Sequence, residues 1–143
     1  SEEEHRLVQR YLREFDLLFS DWREIGMYYA AANSALTDAQ RLEITRLSLT
    51  PDSRDPSLTF HAGWFSEKGG DASLARRYYE RTITLAPSEY PAAYLRLAGI
   101  LHSVYRDSAQ AAEILRRGIR ACAFAPEREE MLKRLREYEA AEH

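Results

Sequence analysis

The residue types that most often carry catalysis or metal binding are sparse in this chain of 143 residues. Its histidines are far apart, and none belongs to an H-x-x-x-H pair or to another spacing typical of metal ligands. The adjacent Gly69 and Gly70 match neither of the glycine patterns that bind phosphate in nucleotide-binding proteins. We therefore predict no catalytic residue, no metal site and no cofactor, and expect that the protein is not an enzyme. The histidines are His5, His61, His102 and His143.

Cys122 is the single cysteine, so no disulfide bond can form within the chain. It lies between Ala121 and Ala123 near the end of a predicted helix, and apolar surroundings raise the pKa of a thiol. We predict a buried, unreactive side chain. A chain without disulfides fits a reducing compartment, and we expect a cytoplasmic protein, with a periplasmic or secreted one left open.

The charge pattern argues against nucleic acids and membranes as partners. Charged residues make up 30% of the chain, the net charge is -3, and both signs are interspersed, whereas surfaces that bind nucleic acid carry a basic excess. No run of apolar residues is long enough to cross a bilayer, so we predict no membrane insertion. The chain begins at Ser1 and not at Met, and we therefore expect a fragment or a processed form, with further repeats before Ser1 left open.

Helical signals dominate the whole chain. Apolar residues recur at spacings of three and four, and no segment alternates with period two, so we predict about eight helices and no strand. Thr37 and Gln40 predict a capping box, and Asp71 and Asp107 are predicted N-caps. Asp55 and Pro56 mark a restart of the helix, with the proline in its first turn. The short segments between these helices predict antiparallel hairpins.

Small residues and prolines recur along the chain at a nearly constant spacing. One series of alanines and one pair of prolines repeat every 36 residues, and a third series has spacings of 37 and 35. A fixed period of this length indicates hairpins that repeat. The three series are Ala39, Ala75 and Ala111; Pro51 and Pro87; and Gly26, Gly63 and Ala98.

The repeated residues resemble the tetratricopeptide repeat (TPR) family, whose pattern is W-x2-L-G-x2-Y in the first helix and A-x3-F followed by P in the second. The resemblance covers roughly residues 20–125. Departures occur at Glu43, Thr59 and Ser66, where the family has aromatic residues, and Pro126 comes three residues late. The matching residues are Trp22, Ile25, Gly26 and Tyr29; then Gly63, Ala75, Tyr79 and Pro87; then Tyr94, Leu97, Ala98, Leu101, Ala111 and Leu115.

The resemblance implies an all-α fold, a right-handed superhelix of TPR-like helix-turn-helix hairpins with N- and C-terminal capping helices. We expect one domain over residues 1–143, with an N-terminal helix at 3–19, repeats at about 20–55, 56–90 and 91–125, and a C-terminal capping helix at 126–141. Gly26 and Gly63 are expected where the two helices of a hairpin approach each other, with Trp22 and Tyr29 filling the space around Gly26. A glycine inside a helix costs about 1 kcal/mol relative to alanine, which such a contact would explain.

Both terminal helices have an apolar stripe. We expect the N-terminal stripe to cap the array within the chain, and the alternative is a homodimer formed through the N-terminal helix. The last helix is predicted to turn its apolar side inward and its charged side to solvent. The stripes are Leu7, Tyr11, Phe15, Leu18 and Phe19 at one end, and Met131, Leu132, Leu135 and Tyr138 at the other.

A second stripe of large side chains remains on the first helix of each hairpin, which in the TPR family lines the concave side. We predict that this stripe forms a groove that binds a peptide or hydrophobic segment of another protein, because aromatic and arginine residues dominate binding energy at interfaces. Gly99 and Ser103 extend the same face in the third hairpin. The predicted groove residues are Arg23, Met27, Phe60, Trp64, Lys68, Leu95 and Arg96.

The resemblance leaves several roles open. Some TPR proteins grip a C-terminal carboxylate with polar residues, but Met27 and Ala92 stand where those polar residues are expected, so a hydrophobic or extended segment fits better. The predicted role is that of an adaptor or chaperone within a larger assembly. The alternative is a structural scaffold or dimerisation segment of a larger protein, with no peptide groove in use. A further alternative is that the protein's own N-terminal helix fills the groove.

Overall fold

The computed structural model describes residues 1–7, 10 and 22–141, and for residues 22–25 and 28 it describes the backbone alone. Within these ranges the chain is helical and contains no strand, which confirms the all-α prediction. None of the helices in the same ranges is both long and apolar enough to cross a membrane. The helices are α1 (Trp22–Ala32), α2 (Asp38–Ser48), α3 (Pro56–Lys68), α4 (Ala72–Leu85), α5 (Pro91–Ser103), α6 (Ser108–Ala121) and α7 (Arg128–Ala141).

Residues 2–7 are also helical and lie within or next to the predicted N-terminal helix. The remainder of that helix, and with it the capping and dimerisation predicted for its stripe, lies outside the described residues. Leu7, the one stripe residue that is described, is half exposed.

The helix starts follow the local signals in the sequence. The Thr37 hydroxyl accepts a hydrogen bond from the backbone N–H of Gln40 at 3.1 Å, and the Gln40 side chain accepts one from the Thr37 N–H at 2.8 Å. Asp55, Asp71 and Asp107 accept from backbone N–H groups in the first turns of α3, α4 and α6. These contacts satisfy donors that a helix start otherwise leaves unpaired. They confirm the caps predicted at Thr37, Asp71 and Asp107, and the structure adds the cap at Asp55.

Each helix packs against the next, and α1 also contacts α3 while α5 contacts α7. The predicted close approaches are confirmed. A Cβ atom built on Gly63 would lie 2.6 Å from Cε1 of Tyr79 in α4, and one built on Gly26 would lie 2.7 Å from the Ser48 hydroxyl in α2. Only a residue without a side chain fits these two positions unless the facing side chain moves.

The buried side chains form two clusters. The N-terminal core joins α1 to α4 and consists of Met27, Ala30, Leu49, Leu58, Ala62, Phe65 and Tyr78. The C-terminal core, formed by α4 to α7, is larger. Its members are Ala75, Tyr79, Ile83, Ala93, Tyr94, Leu97, Ala98, Ile100, Leu101, Ala111, Ala112, Ile114, Leu115, Cys122, Met131 and Tyr138.

The first hairpin departs from the spacing that the sequence predicts. Ala75 and Ala111 are fully buried, but Ala39 is exposed, and Tyr29 is 57% exposed and does not fill space beside Gly26. The connection between α1 and α2 spans residues 33–37, whereas that between α3 and α4 spans only 69–71. Gly26 faces Ser48 near the end of α2, whereas Glu43, which corresponds by sequence spacing to Tyr79, is exposed; the two hairpins therefore do not pair their helices at corresponding positions.

The last helix has the predicted orientation. Met131 and Tyr138 are buried and Leu135 packs against the C-terminal core, while charged residues such as Lys133 remain exposed. The ring of Tyr138 stacks on that of His102 from α5, with the centroids 4.4 Å apart. The helix therefore covers the open side of the third hairpin.

Candidate partner-binding surface

Trp64 is the centre of the candidate surface. Phe60, Trp64 and Lys68 are four residues apart along α3, so all three lie on one side of that helix. The indole is partly buried, and its inner part packs against the N-terminal core. The Arg96 guanidinium of α5 stacks on it with Cζ 3.6 Å from the ring centroid, and the Lys68 ammonium lies 4.9 Å from that centroid. Such cation–π contacts contribute about 0.5–2 kcal/mol each and hold the two cations at the indole.

Glu67 ties three helices together next to the indole. Its carboxylate accepts a hydrogen bond from the Tyr79 hydroxyl of α4 at 2.8 Å. The same carboxylate lies 3.3 and 3.4 Å from Nη1 of Arg96. Burial, and then the hydrogen bond to Glu67, raise the pKa of Tyr79, so the phenol stays protonated and remains a donor. The position of Arg96 is thus fixed both by an aromatic face and by a carboxylate.

Phe60 and Leu95 are partly buried and pack against the C-terminal core. The Phe60 ring lies 5.9 Å from that of Tyr79 and 5.6 Å from that of Tyr90, measured between centroids. Part of each side chain therefore serves internal packing. The exposed part of each side chain provides apolar area beside the charged groups of Lys68 and Arg96.

Of the two residues predicted for this surface from the first hairpin, Met27 is not part of it. Met27 is fully buried in the N-terminal core, so its predicted place in an open groove is wrong. The reason is that the face of α1 that corresponds by sequence spacing packs into the core. Arg23 belongs to α1, but its side chain lies outside the described part of the structure.

The structure adds two residues that the sequence reasoning did not assign to this face. Glu67 was hidden because its partners Tyr79 and Arg96 are distant in sequence. Arg134 belongs to the charged side of α7, which was expected to face solvent, yet its Nη1 would lie 3.8 Å from a Cβ built on Gly99 of α5. Its Nε also donates to Glu130 at 3.0 Å.

We call six residues the Trp64 surface. Five of them were predicted groove residues, and the sixth is Gly99: Phe60, Trp64, Lys68, Leu95, Arg96 and Gly99.

The groups that could support other chemistry are held in structural contacts. Nδ1 of His61 lies 2.7 Å from the Ser57 carbonyl oxygen, within α3. The Cys122 thiol is buried, as predicted, and burial raises its pKa. Among residues 1–7, 10 and 22–141, no group of three histidine, cysteine, aspartate or glutamate side chains could hold a metal ion.

Comparison with known proteins adds no family assignment. No protein-family model matches the chain, and no curated protein resembles it at a significant level.

Proposed function

We propose that this chain is a TPR-like module of helical hairpins that binds a segment of another protein on the Trp64 surface. It acts there as an adaptor or chaperone within a larger assembly. The observation that carries the proposal is the cluster in which Arg96 and Lys68 flank the partly exposed indole of Trp64. Tryptophan and arginine are the residue types that most often dominate binding energy, and a fixed geometry lowers the entropy lost on binding.

The arrangement of the helices supports a superhelical, TPR-like array. The connections within the hairpins are short, and glycines bring the paired helices close together at Gly26 and Gly63. The contacts of α1 with α3, and of α5 with α7, join the first helices of hairpins to each other or to the last helix. In a right-handed superhelix of this kind these helices line the inner side, where a partner segment would lie.

The test is a double substitution, Trp64→Ala with Lys68→Glu, which removes the indole and reverses an exposed charge. Arg96 is kept because an acidic residue at its position would repel the carboxylate of Glu67. The resulting loss of stability would obscure any effect on binding. A partner captured from cells with the wild-type protein is purified, and its affinity is measured by titration calorimetry. We expect the double substitution to weaken binding by about 2 kcal/mol or more, or roughly 30-fold.

A matched control separates a site from a general effect of losing exposed aromatic or cationic groups. Phe124→Ala with Lys133→Glu changes a fully exposed ring in the α6–α7 connection and an exposed lysine of α7. This control should bind the partner as the wild type does. Equal binding by both double variants would refute the proposal. That result would favour the scaffold alternative. Light scattering tests this alternative, because it measures the mass of the protein in solution.

A further inference from the structure

Gly99 differs from the other glycines that lie within helices. A Cβ on Gly63 or Gly118 would overlap an aromatic ring, at 2.6 Å from Tyr79 and 2.7 Å from Tyr94, respectively, and one on Gly26 would overlap Ser48. At Gly99 the nearest atom is Nη1 of Arg134 at 3.8 Å, an ordinary van der Waals distance. Its backbone does not need glycine either, since Gly70 is the glycine with positive φ in the described ranges.

Nothing in the described part of the fold therefore requires a glycine at this position. A glycine in the middle of a helix lowers helix stability relative to alanine. It also leaves the backbone bare, which is of use where another chain must approach closely. Gly99 is partly exposed on α5, and it lies between Arg96, which reaches toward α3, and Arg134, which reaches over from α7.

The charges around Gly99 indicate what approaches it. Arg96 holds the carboxylate of Glu67, and Arg134 holds that of Glu130. Lys68 is exposed, and among the described residues it has no carboxylate at ion-pair distance. These five side chains leave one positive charge uncompensated, on a protein whose net charge is -3. The surface is thus complementary to an acidic group.

We propose that the partner is an extended, acidic segment of another protein whose backbone crosses α5 at Gly99 and whose carboxylate side chain pairs with Lys68. This inference rests on the proposed function and specifies its ligand. Apolar side chains next to the carboxylate lie on the exposed parts of Phe60 and Leu95. The absence of a Cβ at Gly99 lets the segment lie flat between the two arginines.

The probe is a set of synthetic peptides of about ten residues. The helices α3, α5 and α7 together span roughly 20 Å, which about six extended residues at about 3.3 Å each would cover, and the additional residues extend beyond the surface at both ends. The peptides share the same leucine and phenylalanine positions and carry glutamate, glutamine or lysine between them, with the C-terminus amidated. Fluorescence anisotropy measures their affinity. We expect the glutamate peptide to bind at least about tenfold more tightly than the lysine peptide, less so at high salt.

Two substitutions at Gly99 test the close approach, with Gly63→Ala as the matched control for internal packing. Gly99→Ala should raise the midpoint of thermal unfolding by about 2–4 °C, since it gains helix propensity without a clash, whereas Gly63→Ala should lower it. Gly99→Leu should weaken the glutamate peptide by about tenfold or more while the protein stays folded.

Each outcome bears on a stated part of the inference. If glutamine or lysine peptides bind as tightly as the glutamate peptide, the acidic partner is wrong and the proposed function survives. If Gly99→Leu binds the glutamate peptide as the wild type does, or if Gly99→Ala lowers the midpoint as Gly63→Ala does, the close approach is wrong. If no peptide of any charge binds, both the inference and the proposed function are overturned.

Discussion

Gly63→Ala is the substitution whose effect the structure determines most directly. The added methyl group would lie 2.6 Å from Cε1 and 2.7 Å from Cδ1 of the fully buried Tyr79 ring. Real carbon atoms do not approach so closely, so the ring must move. Overpacking of this kind costs about 1–3 kcal/mol. Moving the ring also strains the hydrogen bond from the Tyr79 hydroxyl to Glu67, and a bond to a charged group contributes about 1.5–3 kcal/mol.

Helix propensity acts in the opposite direction, because alanine is favoured over glycine by about 1 kcal/mol. If the shifted ring keeps part of its hydrogen bond, the net loss of folding free energy for Gly63→Ala is about 2 kcal/mol. For a chain of this length that corresponds to a fall of roughly 4–8 °C in the unfolding midpoint. Urea unfolding followed by far-ultraviolet circular dichroism measures the free energy.

Two further variants identify the source of the loss. Tyr79→Leu removes the ring that the methyl group meets, so Gly63→Ala should cost less in that background, and the double-mutant cycle should give a coupling above about 0.5 kcal/mol. Tyr79→Phe removes only the hydroxyl and measures the hydrogen bond. A Gly63→Ala protein as stable as the wild type would refute the explanation of this glycine by close packing.

Three further predictions concern buried or paired groups. Burial raises the pKa of Tyr78 to about 12, and its hydroxyl donates to the Leu49 carbonyl at 2.8 Å. The protonated Tyr78 side chain therefore stabilises the fold fully below the ordinary pKa of 10.0, and this stabilisation is lost as pH rises toward 12. Tyr78→Phe should be less stable by about 1 kcal/mol at neutral pH, with the difference shrinking over that alkaline window in urea titrations. Hydrogen bonds from Arg46 and from a backbone N–H lower the pKa of Asp71 below its ordinary 3.8, so the advantage of the wild type over Asp71→Asn should hold above 3.8 and be lost as pH falls through the lowered pKa, in the same assay. The buried Cys122, whose thiol pKa is raised by burial, should react with an aromatic disulfide reagent far more slowly in the native protein than in urea; equal rates would show that the thiol is accessible.

The local signals of the sequence predicted local structure well. The capping box at Thr37 and the N-cap aspartates act over three or four residues, so that no distant contact can easily override them. Gly63 was placed at a helix contact because its cost in propensity demanded a reason, and that reason lies within the same hairpin. These inferences needed only the helical period and short connections.

The failures concern contacts between elements. Met27 was assigned to a groove by assuming that the first hairpin repeats the geometry of the second, but the face of α1 that carries Met27 packs into the N-terminal core. Trp64 and Arg96 were predicted to line the same groove, but their contact with each other was not predicted. Their stacking, and the carboxylate of Glu67 between them and Tyr79, depend on how α5 lies across α3 and α4. Spacing along one helix does not contain that information.

The adjacent residues Tyr78 and Tyr79 belong to different cores, one on each side of α4. In hairpin arrays each unit is stabilised mainly by its nearest neighbours, so unfolding can begin at one end and proceed along the chain. Fraying that starts in α1 removes contacts from the N-terminal core first and reaches α4 through Tyr78. The Tyr79 side of α4 remains packed against α3 and α5. The unfolding of the N-terminal core and that of the C-terminal core are therefore coupled through α4. We therefore expect a change that loosens α4 to separate the unfolding of the two cores into two transitions.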